Sequence, residues 1–309
     1  MVHRSKKSAA RNAPTKTAAK KGAAKRMSAA GTGAKKSAAK KTAAKSTSAT
    51  AQKSTAAKKS AASSASPPDA VRVWRGYRLS SLAVPDFLTA LGSIFMPVTV
   101  QLQRLYGLTA YLPAVPPTEK AAGVPDEIAL VFYETQQAYT DTSLIVAGRA
   151  YSRLHSTVFD LSISKSGFPV PLPNRLAFDT PYFLFTDAVD WQTGFSQVFV
   201  GTRKNNISSA QFAAALFTFL NQVRENRPKG LEGAIVCVSA NWVIYWEHWT
   251  SEAASLKGHI SDLAKLADLV MLKPSASVQI EPSLTAHYPG ITVKGGQSFN
   301  LRFPLADKS

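Results

Sequence analysis

The chain has a single cysteine among its 309 residues, Cys237, so an intrachain disulfide is excluded. One thiol is typical of a protein in a reducing compartment. Long apolar runs are also missing, because the nearest candidate, residues 79–102, contains Pro85, Asp86 and Pro97. A membrane-spanning helix needs about 18 apolar residues or more, so we expect no membrane span. The N-terminus has no apolar stretch of the signal-peptide type, and we expect no secretory leader.

Acidic residues are absent from the first 68 positions, and the first one is Asp69. Residues 1–66 hold 17 of the 37 Lys and Arg, which leaves 20 cations for the remainder against all 19 acids. The net charge of +18 therefore belongs to the N-terminal segment, and the rest of the chain is close to neutral. Such asymmetry favours an arm that contacts a polyanion and a body with a different role.

Aromatic residues are missing from the same segment, which repeats a unit of two lysines, one small residue and two alanines. Without large side chains to bury, chain entropy dominates, so residues 1–68 are predicted to be a disordered basic tail. Each cation can neutralise a phosphate without reading base sequence. The candidate nucleic-acid-binding residues are Lys6, Lys7, Lys20, Lys21, Lys25, Arg26, Lys35, Lys36, Lys40, Lys41, Lys58 and Lys59.

This tail resembles in composition the tails of linker histones and of bacterial histone H1-like proteins, which are built from Ala, Lys, Ser, Thr and Pro. The resemblance implies DNA binding and compaction without sequence preference, in the cytoplasm, the nucleoid or the nucleus. The residues leave other roles open. The tail could be a solubilising segment, an organelle transit peptide, or a segment that binds RNA, polyphosphate or an anionic membrane surface.

The body repeats one order of elements, β-α-β-β-α-β, which is the order of a ferredoxin-like unit. In the first half, alternating and helical apolar patterns lie at residues 72–79, 85–107, 108–115, 128–134, 144–158 and 161–173. In the second half they lie at residues 197–202, 208–227, 233–239, 242–249, 256–270 and 277–281, and a hairpin follows at 291–303.

We therefore predict an α+β fold in which two ferredoxin-like units, residues 69–173 and 174–309, form a pseudo-dimeric α+β barrel. The order of elements resembles that of the dimeric α+β barrel superfamily, which includes small cofactor-free monooxygenases and haem proteins related to chlorite dismutase. The resemblance implies an enzyme or a ligand carrier. No catalytic motif matches residue by residue, so no catalytic residue is carried over.

The strand at residues 242–249 is the richest candidate for a ligand site, because aromatic residues alternate on both of its faces. One face must meet helices, whereas the other would line the barrel interior, where a flat ligand could find an aromatic pocket. The possible pocket residues are Trp242, Tyr245, Trp246, Glu247 and His248, with His248 or Glu247 as the polar group. The alternative is a core strand whose charged pair lies in water at its end.

No metal site is expected, because the histidines lack ligand spacing and there is one cysteine. No cofactor is expected either, with a haem on one buried histidine as the alternative. The main prediction is a non-enzymatic protein whose tail holds DNA or another polyanion, while the body forms a homo-oligomer or binds a partner. The alternative is an enzyme or ligand carrier with the α+β-barrel fold. It would either resemble the cofactor-free monooxygenases or bind haem, and its basic tail would localise it.

Overall fold

The computed structural model describes residues 70–191, 193–255, 267–270, 292–299 and 301–302. The basic tail with all its candidate binding residues lies outside the described residues, and so does the strand predicted at 277–281.

The first sheet is built around two apolar central strands, β1 (Ala70–Gly76) and β3 (Glu127–Tyr133), which pair antiparallel. β2 (Leu108–Val115) pairs with the other edge of β3, and β4 (Lys165–Gly167) pairs with β1. The strand order β2-β3-β1-β4 is the order expected of a ferredoxin-like unit. In this order β3 lies between β1 and β2 and is antiparallel to both.

An irregular helical segment connects β1 to β2 and covers the outer face of this sheet. It begins as α1 (Val84–Ala90), where Pro85 occupies the first turn and its missing N–H costs nothing. It continues through the π-helical turn π1 (Leu91–Phe95), the short α2 (Met96–Val98) and the π-helical turn π2 (Thr99–Gln103). Pro97 lies within α2, and a widened π-helical turn stands on either side of it.

Two shorter helices complete the outer layer of the first unit. α3 (Gln136–Leu144) is capped by Thr135, whose side-chain oxygen accepts a hydrogen bond of 3.0 Å from the backbone N–H of Ala138. α4 (Val146–His155) starts after Ile145, which has an extended backbone and separates the two helices. The chain then enters β4 and two short strands, β5 (Val170–Pro171) and β6 (Pro181–Phe183).

The second sheet repeats the topology of the first. β7 (Phe195–Arg203), β8 (Leu231–Val238), β9 (Trp242–Trp249) and β10 (Ala267–Val270) are arranged in the order β8-β9-β7-β10. β6 pairs with the free edge of β8, and β5 pairs with β6, so both extend this sheet. The strand at β10 corrects the sequence analysis, which continued a helix to residue 270. Pairing with β7 decides the conformation there, and residues 256–266 lie outside the described part.

One long helix, α5 (Ser209–Glu225), covers the outer face of the second sheet. Ser208 and Gln211 form a capping box at its start, in which each side chain bonds the backbone N–H of the other residue. The short α6 (Glu252–Ser255) follows β9. The closing segment, which the sequence analysis placed with the second unit, instead pairs with β2 of the first sheet through β11 (Gln297–Ser298) and β12 (Leu301–Arg302).

The two sheets pack face to face and share one apolar core. The first sheet contributes Val73, Leu112, Ile128, Leu130 and Phe132, and the second contributes Val198, Val200, Ile235, Ile244 and Trp246. The rings of Phe132 and Trp191 lie 5.1 Å apart between the sheets. The predicted fold class, an α+β pair of ferredoxin-like units forming a pseudo-dimeric barrel, is confirmed. Within the described residues, every helix is too short or too polar to cross a membrane.

Because residues of both units build the inter-sheet core, truncating one of its side chains should destabilise the whole body. We expect Phe132→Ala, at a fully buried position, to lower the free energy of unfolding by about 3–5 kcal/mol in urea titrations. Phe178→Ala is the matched control, because Phe178 is 41% exposed, and it should cost less than about 1 kcal/mol. Equal losses in the two variants would contradict this account of the core.

Candidate functional site

A cavity of about 170 Å³ lies in the first unit, between the outer face of the sheet and the helices. Aromatic rings form most of its wall, and one carboxyl, one imidazole and one guanidinium border it. Its principal lining residues are Arg72, Trp74, Phe95, Thr99, Gln103, Tyr111, Glu127, Tyr133, Tyr139, Tyr151, His155 and Phe159. Such a concave, mainly apolar site with a few polar groups is typical of small-molecule pockets.

The alternation of the strands explains which side chains reach this cavity. In β1, Arg72 and Trp74 point towards the helices, whereas Val73 points towards the second sheet. In β3, Glu127 and Tyr133 point towards the helices in the same way, and Ile128 points inwards. The polar residues of the site therefore occupy alternate positions of these two strands.

Glu127 is the most unusual of these residues, because its carboxyl group is only 2% exposed. The Tyr111 hydroxyl donates a hydrogen bond of 2.6 Å to Oε1, and the Trp74 indole N–H donates one of 3.0 Å to Oε2. Burial raises the pKa of Glu127 from its ordinary value of 4.5 to about 7, although the two hydrogen bonds oppose the shift. Glu127 can therefore both take up and release a proton at neutral pH.

The tyrosines around Glu127 stay neutral and act as hydrogen-bond donors. Burial raises the pKa of Tyr111, Tyr133 and Tyr151 above the ordinary value of 10. The Tyr133 hydroxyl donates to Oε1 of Gln103 over 3.2 Å, and the Tyr151 hydroxyl is bonded to Thr99. Glu127 is thus the group of this aromatic cluster that can accept a proton near pH 7.

His155 closes one side of the cavity and is neutral at neutral pH, because burial lowers its pKa. Its Nδ1 atom lies 2.9 Å from the backbone oxygen of Tyr151, and a carbonyl only accepts, so Nδ1 carries the proton. The imidazole lies edge-on to Trp74 and Phe95, with ring centroids 5.5 and 5.1 Å away. His155 therefore belongs to the aromatic wall and offers Nε2 as an acceptor.

The irregular helices create the space for this cavity. The π-helical turns place Phe95, Thr99 and Gln103 on the cavity wall, and such turns are frequent at functional sites. The break between α3 and α4 brings Gly148 against the preceding helix, where an added Cβ would lie 1.8 Å from the backbone oxygen of Thr142. Only glycine permits this close approach.

The second unit contains a comparable buried carboxyl group in a different setting. Glu247 of β9 is fully buried and accepts hydrogen bonds from the Gln197 amide, at 2.6 Å, and the Trp249 indole, at 2.9 Å. On this face the regular helix α5 packs directly against the sheet, and its Phe219 ring lies 6.2 Å from that of Tyr245.

The five predicted pocket residues do not converge on one cavity. Trp246 and His248 face the first sheet with Trp242, whereas Tyr245 and Glu247 face α5. His248 shares a hydrogen bond of 2.8 Å with Ser196, and its ring lies tilted against that of Trp191 with the centroids 4.7 Å apart. The suggestion that the charged pair lies in water is wrong, since Glu247 and His248 are fully buried. Ligand binding by these five residues stays a prediction.

Sequence reasoning missed the cavity of the first unit. Glu127 stands at the start of an apolar strand directly after Pro125-Asp126, a position typical of a solvated strand end. A signal was present, since Glu127 and Tyr133 share one face of β3, and Arg72 and Trp74 share one face of β1. That pattern indicates that each of the two strands has one face of polar and aromatic side chains. It does not indicate whether helices or water cover that face.

Comparison with known proteins gives matches to solved structures alone: no family model matches the chain, and no curated protein matches it. A "putative monooxygenase" from Lactobacillus acidophilus is 10% identical, covers 64% of this chain and 86% of its own, and has a TM-score of 0.30. A "putative monooxygenase" from Fusobacterium nucleatum is 10% identical, with 67% and 94% covered and a TM-score of 0.32. An anthrone oxidase-like protein is 9% identical, with 62% and 77% covered and a TM-score of 0.32.

The function predicted first, non-enzymatic polyanion binding with a body for oligomerisation, is corrected by these findings. These structures are described as two "putative monooxygenases" and an anthrone oxidase-like protein. The physical reason lies in the body, where a cavity lined by aromatic rings and a buried carboxyl group suits the alternative of an enzyme or ligand carrier better. Since the TM-scores are all near 0.3, the function is inferred below from the cavity of this chain.

Within the described part of the chain, no group of three His, Cys, Asp or Glu side chains could hold a metal ion. The absence of a metal or cofactor from the working protein stays a prediction. Nothing supports a nucleic-acid partner or a homo-oligomer, and the compartment, including organelle targeting, stays open.

The raised pKa of Glu127 predicts a specific dependence of stability on pH. The folded protein keeps the carboxyl proton up to about pH 7, whereas the unfolded chain releases it near the ordinary value of 4.5. The free energy of unfolding should therefore fall by about 3 kcal/mol as the pH rises between these values, and stay level above pH 7. Urea titrations of wild type and Glu127→Gln should show a gap that opens over this window in favour of the variant.

Other groups titrate over the same window, so the difference between the two proteins is the quantity to measure. Glu119→Gln is the control, because Glu119 is exposed, and a gap that opens equally in both variants would not come from the buried position of Glu127. A constant gap between wild type and Glu127→Gln would contradict the assignment of a raised pKa to Glu127.

Proposed function

We propose that the protein is an enzyme of the α+β-barrel type that binds a flat, ring-sized, weakly acidic molecule in the cavity of the first unit. Glu127 removes a proton from this molecule and acts as the general base. The observation that carries the proposal is a carboxyl group with a pKa of about 7, buried against an aromatic cavity. A base is most effective when its pKa lies near the working pH.

The dimensions of the cavity support a small aromatic ligand. An engineered apolar cavity of about 150 Å³ binds benzene, and the present one measures about 170 Å³. Trp74, Tyr111 and Tyr133 offer ring faces and edges for stacking. The tyrosine hydroxyl oxygens and Nε2 of His155 would accept a hydrogen bond from a hydroxyl group on the ligand.

Removal of a proton from such a ligand leaves an electron-rich anion, on which dioxygen can act directly. The cofactor-free monooxygenase alternative therefore suits this base. The haem alternative does not suit the cavity, because about 170 Å³ accommodates roughly one ring. His155 is moreover enclosed by Trp74, Phe95 and Phe159.

The base can be tested with a probe that needs only proton abstraction, the elimination of 5-nitrobenzisoxazole to a coloured nitrophenolate. Wild type should catalyse the reaction with kcat/KM rising through an apparent pKa of about 7, the value set by Glu127. Glu127→Gln should lose at least about 100-fold in kcat/KM, because it removes the base. Glu247→Gln, which alters the buried carboxyl group of the second unit, should keep the activity.

Three outcomes would count against the proposal. They are activity that survives in Glu127→Gln, a pH profile without an inflection near 7, and loss of activity in Glu247→Gln alone. The last outcome would move the site to the strand that the sequence analysis favoured.

The hydrogen bond from Tyr111 provides a second test, because it stabilises the ionised form of Glu127. Tyr111→Phe should therefore move the inflection of the pH profile upwards by about one unit or more. Tyr133→Phe is the matched control, since Tyr133 bonds Gln103 and should leave the inflection in place. A downward shift in Tyr111→Phe, or equal shifts in both variants, would show that Glu127 does not set the profile.

A further inference from the structure

A second cavity, of about 410 Å³, lies at the end of the space between the two sheets, where β1 ends and β9 begins. Its wall includes Arg75, Tyr77, Lys165, Asp179 and Trp242. The cavity of the proposed active site lies on the other side of the first sheet. Arg75 points towards the second sheet, whereas its neighbour Trp74 points towards the helices.

Arg75 is the central feature of this cavity, because its side chain is buried without a counter-charge. The residue is 2% exposed, and Nη1 donates to Sγ of Cys237 over 2.6 Å. Within the described residues, Nε has no hydrogen-bond acceptor, and no carboxylate lies within ion-pair distance of the guanidinium. Buried charges are ordinarily paired, since removing a charge from water without a partner costs several kcal/mol.

Cys237 does not supply the missing negative charge. Burial raises the pKa of its thiol to about 11, even though Arg75 and Lys165 lower it. The thiol is therefore neutral under ordinary conditions, and its bond to Nη1 is a weak one. A guanidinium is positively charged in proteins, and the Nε donor of Arg75 has no acceptor within the described residues.

The other charges at the cavity cancel each other. Lys165 forms an ion pair with Asp179, and both side chains are at least one-third exposed. Asp179 is the one non-glycine residue of the described chain with a left-handed backbone, at φ 63°, and its N–H is held by the carbonyl of Val238 at 2.7 Å. Aspartate tolerates this conformation better than most residues. The cavity thus carries one uncompensated positive charge, that of Arg75.

We propose that this cavity binds a small carboxylate whose oxygens accept hydrogen bonds from the free edge of Arg75. A planar guanidinium matches a carboxylate in shape, and charge-assisted hydrogen bonds of this kind are strong. A single net positive charge favours a monoanion over a phosphate dianion. The Trp242 indole and the Tyr77 ring line the cavity and offer contact area for the apolar part of such an acid.

The test uses benzoate as the probe and benzamide, which has the same shape without the charge, as the matched control. Isothermal titration of the full chain in low-chloride buffer should show binding of benzoate and at least about tenfold weaker binding of benzamide. Arg75→Met should lose benzoate binding by about tenfold or more. Without ligand, Arg75→Met should be as stable as wild type or more stable, because an unpaired buried charge is removed.

Asp179→Asn keeps the proposal testable if Arg75→Met does not fold. Asparagine accepts the same left-handed backbone, and the change removes the carboxylate that competes for Lys165. Benzoate should therefore bind several-fold more tightly to Asp179→Asn. Unchanged or weaker binding in this variant would overturn the proposal, and so would equal affinities of wild type for benzoate and benzamide.

A competition experiment separates this site from the proposed active site. Saturating benzoate should leave the KM for 5-nitrobenzisoxazole unchanged, because the two cavities lie on opposite faces of the first sheet. Competitive inhibition by benzoate would place the anion in the cavity of Glu127 and would overturn the assignment to Arg75. The elimination reaction can fail entirely without affecting the benzoate titrations, so the two proposals are tested independently.

Discussion

Every strand in the middle of this fold is covered on both faces, by helices on one side and by the other sheet on the other. A polar side chain on such a strand cannot turn to water and has to find its partners inside the protein. Glu127, Glu247, His248 and Arg75 are all in this position. Their hydrogen bonds follow from this constraint, and so does the raised pKa of Glu127.

The two units meet the constraint in different ways. In the second unit the 17-residue helix α5 is regular and packs its apolar stripe directly on the sheet. In the first unit the corresponding segment is widened by π1 and π2, and the next helix is broken at Ile145. A widened helix cannot follow the sheet as closely, so space remains between them. The cavity of the first unit therefore depends on the irregularity of the helices that cover its sheet.

Local patterns in the sequence predict much of the scaffold. The strand 242–249 has the same bounds in the structure, and the capping box of Ser208 and Gln211 marks the start of α5. These features depend on neighbours in sequence. The helix predicted to end at Val270 fails because pairing with β7, more than 60 positions earlier, decides the conformation. The closing segment pairs with β2 for the same reason, and no local pattern records such distant partners.

The candidate site was harder to predict than the scaffold, and the reason is physical. Alternation shows which side chains share a face of a strand, but it does not show whether water or a helix lies opposite. Glu127 carries an ordinary sequence signal for an exposed strand end. Burial raises the pKa of its carboxyl group to about 7, because the π-helical turns, α3 and α4 cover that face of the sheet.

A buried carboxyl group of this kind costs stability at neutral pH, where the unfolded chain ionises freely and the folded protein does not. A glutamine at position 127 would have nearly the same size and shape and would not lower the free energy of unfolding in this way, because it does not ionise. Burial raises the pKa of Glu127, and the hydrogen bonds from Tyr111 and Trp74 lower it in part. The result is a pKa of about 7. Residues that reduce stability while placing a pKa near the working pH are characteristic of catalytic sites. The arrangement around Glu127 is therefore better explained by proton transfer than by core packing.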